Sequence, residues 1–225
     1  MLFERGSNVY IPRLPRHGLA DRLTTELEAL TAAELRAFAR ESVERASQLG
    51  ERLVVVGFSV GGLLSAWIAE QVAVERAACI APFLGFPLVP RRLTGSAARV
   101  ALAMPNQFVW WDPLARERQM PVHGYPRFAT HAVAEAAQLA GEVLLHAERG
   151  APLAREVQIV LNARETAVSN RAARTLVRRW RSHGGDGVLL HRLEGLPLSH
   201  DIIEPLRSPD IVRRIYPELV RLVDR

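Results

Sequence analysis

Three residues of this sequence could act together on a bond: Ser59, within Gly57-Phe58-Ser59-Val60-Gly61, Glu165 and His200. A serine hydroxyl becomes a useful nucleophile when a histidine takes its proton, and that histidine needs a carboxylate to fix its tautomer. Glycines flank Ser59 where a tight strand-to-helix turn requires small residues, so that the hydroxyl can project from the turn. The helix opened by the turn would aim its first N–H groups at the same place, which makes the Val60 N–H a candidate donor to an oxyanion. In the plainer alternative, Ser59 only caps that helix.

Seven histidines compete for the role of base. His17 falls in an early turn, His123, His131 and His146 in a long insertion, His183 after an arginine-rich helix, and His191 at the end of a strand. His200, in Leu198-Ser199-His200-Asp201, follows the last strand, where the carboxyl edge of a parallel sheet returns the chain toward Ser59; the alternative is a surface loop histidine. Glu165 is the only carboxylate in 162–168, the loop that follows the preceding strand, although a glutamate near a helix start is stabilised there in any case. Asp186 precedes its strand and lies at the wrong edge, Asp201 is expected to cap the next helix, and Asp112 is the reserve acid.

These residues need a sheet to position them. Leu53 to Gly57 and Ala77 to Ala81 read as apolar strands without alternation, the pattern of strands buried on both faces of a parallel sheet. Val157 to Leu161 and Gly187 to His191 are two more, and Asn8 to Ile11 is a short strand ended by the proline-rich turn 12–18. Helices are expected from Thr31, with a Thr31/Glu34 capping box and a left-handed stop at Gly50, and over Leu63 to Val74. A third spans the arginine cluster 171–181, with Ala173, Leu176, Val177 and Trp180 on its inner face. Alternating helices and strands make the class α/β with a mostly parallel sheet. Residues 1–81 and 157–225 form the core, and 82–156, too long for an ordinary connection, is a lid or cap with helical second half Thr130 to Gly150. An insertion on the carboxyl side of such a sheet overlies the place where ligands bind.

Composition narrows the function classes. Of 225 residues 48% are hydrophobic and 24% charged, which excludes a disordered or fibrous chain. One cysteine, Cys79, excludes an intrachain disulfide and any zinc site with more than one thiolate, and fits a reducing, cytoplasmic setting. The net charge of +5 comes entirely from arginine, since the chain has no lysine, and the arginines are scattered among 24 acids. That favours an ion-paired surface over nucleic-acid binding. Residues 1–18 lack the apolar run of a secretory signal. The uncharged stretch 53–69 is short for a membrane span and carries three glycines near its middle.

With these motifs in place, the chain resembles the α/β-hydrolase fold of bacterial carboxylesterases and monoacylglycerol lipases. Val9 to Gly18 is similar to that family's P-x-L-P-G-H-G turn, Gly57 to Gly61 to its nucleophile elbow, Glu165 stands at its acid position and Leu198 to Asp201 resembles its histidine loop. The resemblance implies that Ser59 attacks a small-molecule carboxylic ester, that an acyl-enzyme forms, and that water activated by His200 releases the acid, without cofactor or metal. Phe108, Trp110, Trp111, Tyr125 and Phe128 of the lid would face an apolar acyl or alcohol part, or pack as lid core. Three departures stand out: Arg16 replaces a glycine of the turn, Glu165 replaces the commoner aspartate, and the family's first strands and second oxyanion donor have no counterpart. The expectation is that a strand is missing between the segments at Asn8 and Leu53, with Met1 not the natural start or the chain a remnant. Two function classes stay open: a serine esterase, and a non-catalytic or partner-completed protein of the same fold.

Overall fold

The computed structural model describes residues 2–87, 89, 91–119 and 121–224, with backbone alone for 91–93; Met1 lies outside the described residues. In chain order the elements are α1 (Ala32–Ala46), β1 (Val54–Phe58), α2 (Val60–Gln71), β2 (Arg76–Ile80), α3 (Arg91–Ala103), β3 (Phe108–Trp110), β4 (Arg127–Ala129), α4 (Thr130–His146), β5 (Glu156–Asn162), α5 (Asn170–Ser182), β6 (Val188–Leu193) and α6 (Pro209–Asp224). The main sheet is parallel throughout, in the order β1-β2-β5-β6. Its carboxyl edge therefore gathers the loops that leave β1, β5 and β6, which carry Ser59, Glu165 and His200.

The two central strands behave as their composition requires. All five residues of β2 are buried, and so are six of the seven in β5. Arg76, the one charge in β2, is compensated by a two-pronged pair with Glu156 (3.0 and 3.1 Å) and by donation to the Val223 carbonyl. The capping box forms as expected: Thr31 Oγ1 accepts from the Glu34 N–H at 3.1 Å and Glu34 Oε2 accepts from the Thr31 N–H at 2.9 Å. In α5 the apolar face is Ala172, Ala173, Leu176, Val177 and Trp180, and two of its arginines serve the fold, Arg179 donating to the Leu144 carbonyl and Arg181 to that of Val188.

Four local expectations are corrected. Residues 8–11 form no strand, because no neighbouring strand offers them a ladder. For the same reason β1 is an edge strand and not one buried on both faces; Val56 at its centre is 46% exposed. The first helix ends at Ala46 with the Ser47 N–H bonded to the Val43 carbonyl, and Gly50 does not take the left-handed conformation. The second helix starts at Val60, directly after Ser59, three residues before the apolar periodicity suggested.

Within 82–156, α4 packs against α1, α2 and α3 and contributes Leu139, Ala140 and Val143 to the main core. The antiparallel hairpin β3-β4 pairs Phe108 with Ala129 and Trp110 with Arg127. The segment between its strands reaches two distant parts of the chain. Arg22 donates to the Gly124 carbonyl on one side, and His123 Nε2 lies 3.5 Å from Glu204 Oε2, four residues past His200, on the other. No helix among the described residues is long and apolar enough to cross a membrane.

Candidate active site

Ser59 sits in the turn between β1 and α2. Its φ of 56° and ψ of −114° lie outside the regions favoured by residues with a Cβ, a strain on the order of 1–3 kcal/mol. Backbone bonds hold it there: its N–H donates to the Ile80 carbonyl, and its own carbonyl accepts from the Leu63 and Phe83 N–H groups, each at 3.0 Å. The tightness of the turn explains the glycines around it. A Cβ on Gly57 would stand 2.0 Å from the Gly61 carbonyl oxygen, and one on Gly62 would stand 2.9 Å from that of Ile80. Gly61 itself has nothing within 4 Å of its would-be Cβ, so the steric demand on the helix side falls on Gly62.

The histidine arrives from the loop after β6. His200 Nε2 is 2.8 Å from Ser59 Oγ and its Nδ1 is 3.0 Å from Glu165 Oε2. Two buried side chains, Leu196 and Ile202, anchor the loop on either side. The ring stacks on Phe58, with centroids 4.8 Å apart and planes 28° apart. Asn162, the fully buried last residue of β5, donates to the carbonyls of Pro197 (3.1 Å) and Ser199 (2.7 Å) and so ties the histidine loop to the sheet.

Glu165 is oriented by its own turn. Its Oε1 accepts from the Thr166 N–H at 2.8 Å and the Ala167 N–H at 2.7 Å, which leaves Oε2 for His200. Burial pushes this carboxyl up, but the His200 hydrogen bond and the backbone N–H groups outweigh it, and the net displacement is below the usual carboxylate range. Glu165 is therefore ionised at neutral pH. An ionised carboxylate can only accept, so Nδ1 of His200 carries a hydrogen, and in the neutral ring Nε2 is then the acceptor facing the serine hydroxyl.

The fold and this geometry set the chain among known proteins. A model of the alpha/beta hydrolase family matches residues 1–214. The chain belongs to that family. Among solved structures, this α/β hydrolase is similar to the Paleococcus ferrophilus monoacylglycerol lipase, at 17% identity and TM-score 0.62 over 87% of this chain and 76% of that one. It is also similar to a structure from a description of the metagenome-derived lipolytic enzymes LipS and LipT, at 17% identity and TM-score 0.66 over 95% of this chain and 81% of that one. A soluble variant of the Saccharomyces cerevisiae monoglyceride lipase matches at 14% identity and TM-score 0.56, over 75% and 63% of the two chains. At such identities the likeness concerns the fold. No curated protein matches the chain significantly.

The remaining expected site residues of this α/β hydrolase divide by position. Val60 is the first residue of α2, so its N–H has no partner within the helix and lies one residue from the serine. Asp112 is spent locally, accepting from the Leu114 and Ala115 N–H groups, and makes no contact with His200. Asp201 does not cap α6; it pairs with Arg207 at 3.3 Å. Of the five aromatics, Tyr125 stacks on His17 and its hydroxyl accepts from the Leu19 N–H and donates to the Arg16 carbonyl. Phe108 lies under the Arg127 guanidinium, and Trp111 packs on Phe128. Trp110, on β3, is half-buried. None of the five contacts Ser59 or His200 through a hydrogen bond or ring contact. No group of three or more His, Cys, Asp or Glu side chains among the described residues is placed to hold a metal ion.

Two positioning residues escape sequence reasoning. Asn162 carries a weak signal, a polar residue closing an apolar strand at the carboxyl edge. Phe58 carries none, since its role depends on where a distant loop, the one after β6, returns. Arg16, noted as a departure, takes φ 60°, the left-handed conformation that a glycine adopts freely, and is held there by Glu34 (3.1 and 2.9 Å) and Glu26 (2.9 Å).

Proposed function

We propose that this protein is a serine hydrolase that cleaves carboxylic esters through Ser59, His200 and Glu165. The observation that carries the reading is the continuous hydrogen-bonded line from Ser59 Oγ to His200 to Glu165, with the tautomer defined by an ionised carboxylate. His200 Nε2 takes the proton as Ser59 Oγ attacks the ester carbonyl carbon, and Glu165 balances the imidazolium that results. The Val60 N–H faces the developing oxyanion. Collapse of the tetrahedral intermediate returns the proton from Nε2 to the leaving alcohol and leaves an acyl group on Ser59. Water then gives its proton to His200 Nε2 as it attacks the acyl carbon, and collapse of the second tetrahedral intermediate breaks the bond to Ser59 Oγ, returns that proton from Nε2 to Oγ and releases the acid.

The resident groups suffice for these proton transfers without a cofactor. The stretch 82–156 acts as the cap through its β3-β4 hairpin, which spans from Arg22 to Glu204 and thus across the loop that carries His200. Phe108, Trp110, Trp111, Tyr125 and Phe128 give that hairpin an apolar character suited to an ester with an apolar acyl or alcohol part. A cytoplasmic location is part of the reading and rests on the single buried thiol of Cys79.

A second reading, a family member that binds without turnover, is favoured by one observation: among the described residues a single candidate oxyanion donor, Val60, stands beside the serine. Losing one such donor typically costs about 10²- to 10³-fold in rate. Labelling with a fluorophosphonate, with Ser59→Ala as control and the modified peptide mapped by mass spectrometry, separates the two. Modification confined to Ser59 supports the hydrolase; an unlabelled protein with intact circular dichroism supports the second reading.

A further inference from the structure

One arginine, in the segment that follows the turn 12–18, grips the connection between β3 and β4 at several points. Arg22 donates from Nε to the Gly124 carbonyl at 2.9 Å, from Nη1 to the Glu117 carbonyl at 3.1 Å and from Nη2 to the Gln119 carbonyl at 3.1 Å, with the Pro121 carbonyl 3.5 Å from the same Nη2. A guanidinium offers five N–H donors in a rigid plane, which suits a fork across several carbonyls. The acceptors are backbone groups, so the grip depends on the conformation of the connection and not on its side chains. Inside the connection Gln119 is buried; its Nε2 donates to the Asp112 (2.9 Å) and Pro126 (3.1 Å) carbonyls and its Oε1 accepts from the Asp112 N–H at 3.1 Å. The two ends are thereby tied together, and the middle is held by Arg22. On the other side His123 meets Glu204, whose second oxygen accepts from the Leu206 N–H at 3.0 Å. Val122, next to His123 and 58% exposed, thus stands at the histidine loop, which itself exposes Leu198 (63%) and Leu206 (58%).

We propose that Arg22 is a positioning residue for the substrate: by holding residues 117–119 and 121–124 against the histidine loop, it builds one wall of a channel for an extended alkyl chain and so sets the preference for long esters over short ones. The proposal rests on the hydrolase reading above. Among the described residues no hydrogen bond or ion pair joins Arg22 to Ser59, Glu165 or His200, so it acts through the connection alone. A connection of this length with a single 3-10 turn is mobile unless it is tied down. A mobile wall has to be ordered each time a chain binds, and that conformational entropy offsets the gain from burying the chain. A wall already held leaves the full hydrophobic gain. The effect is confined to substrates that reach the wall: an acetyl or ethyl group stays beside Ser59, whereas an octanoyl or octyl chain extends well beyond it. Lysine at position 22 would keep the charge but offer one ammonium, which cannot span the Glu117, Gln119 and Gly124 carbonyls at once.

The test compares wild type with Arg22→Gln and Arg22→Lys on two pairs of esters: p-nitrophenyl octanoate against p-nitrophenyl acetate, which varies the acyl part, and octyl acetate against ethyl acetate, which varies the alcohol. The readout is the ratio of kcat/KM, long over short, which does not depend on the fraction of a variant that is folded. Arg22→Gln should lower that ratio at least tenfold in one pair, through the long ester alone, and Arg22→Lys at least threefold. Amide hydrogen exchange by NMR reads the wall itself: the Gln119 and Gly124 N–H groups, bonded within the connection to the Arg116 and Pro121 carbonyls, should exchange at least tenfold faster in Arg22→Gln. A ratio within twofold of wild type in both pairs overturns the proposal, whether both esters decline together, as a merely structural role would give, or neither does. Unchanged exchange at Gln119 and Gly124 also overturns it. A wild-type protein that hydrolyses none of the four esters, or whose turnover survives Ser59→Ala, refutes the hydrolase reading and the proposal with it; turnover that requires Ser59 while the ratios stay fixed overturns the proposal alone.

Discussion

Replacing Glu165 by glutamine changes one oxygen to an NH2 group and should reverse the direction of the whole proton line. The Thr166 and Ala167 N–H groups, 2.8 and 2.7 Å from Oε1, require an acceptor and so hold the amide oxygen on their side. The amide NH2 then faces His200 Nδ1, where Oε2 now lies at 3.0 Å. Two donors cannot share that bond, so the ring must carry its hydrogen on Nε2, pointing at Ser59 Oγ 2.8 Å away. In that tautomer Nε2 cannot accept the serine proton. The expected loss in kcat is about 10³- to 10⁴-fold, equivalent to roughly 4–5.5 kcal/mol of barrier, the scale known for tautomer inversion in another serine hydrolase. Hydrolysis of p-nitrophenyl butyrate gives the rate, and 15N NMR of the imidazole gives the tautomer even if turnover is slow. Activity within tenfold of wild type would refute the argument, as would a ring in the variant that keeps its hydrogen on Nδ1.

Other substitutions test other links. Ser59→Gly should be about 1–2 kcal/mol more stable to urea than Ser59→Ala, because only glycine accepts φ 56° without strain; equal stabilities would mean that the turn stores none. Gly57→Ala should cost about 3 kcal/mol or more or prevent folding, since its Cβ would meet the Gly61 carbonyl; a fully stable Gly57→Ala protein would contradict the close approach of strand and helix at that turn. Asn162→Ala should free the histidine loop, lowering kcat at least tenfold and raising exchange of the 197–200 amides, with KM little changed; unaltered exchange would remove Asn162 from its positioning role. Burial raises the Glu70 carboxyl to about 8 from its usual 4.5, while Trp180 Nε1 donates to its Oε1. Below pH 4.5 both folded and unfolded chains hold that proton; between 4.5 and 8 only the unfolded chain releases it. Stability should therefore fall as pH rises through this interval, by about 3–5 kcal/mol, and Glu70→Gln should flatten the profile in urea titrations.

Much of this protein was legible because its signals are local. The Thr31/Glu34 capping box, the unbroken apolar strands and the Gly57 to Gly61 turn each depend on neighbours within a few residues, and each forms. The order Ser59, Glu165, His200 was readable for a related reason: in a parallel sheet every strand's carboxyl end lies at one edge, so loops after successive strands converge whatever lies between them. Asn8 to Ile11 and the inner burial of β1 failed because strand character is conferred by a partner, which a segment's own composition does not reveal.

The sequence by itself determined the α/β alternation, the glycine-flanked serine and the candidates for base and acid, since propensity, periodicity and turn sterics act over short distances. Only the tertiary structure decided that Glu165 and not Asp112 meets His200, that Asn162 ties down the histidine loop, that on the helix side of the serine the steric demand falls on Gly62 and not on Gly61, and that β1 presents an open edge. Each of those depends on contacts between residues far apart in the chain, whose distances are set by packing of the whole core.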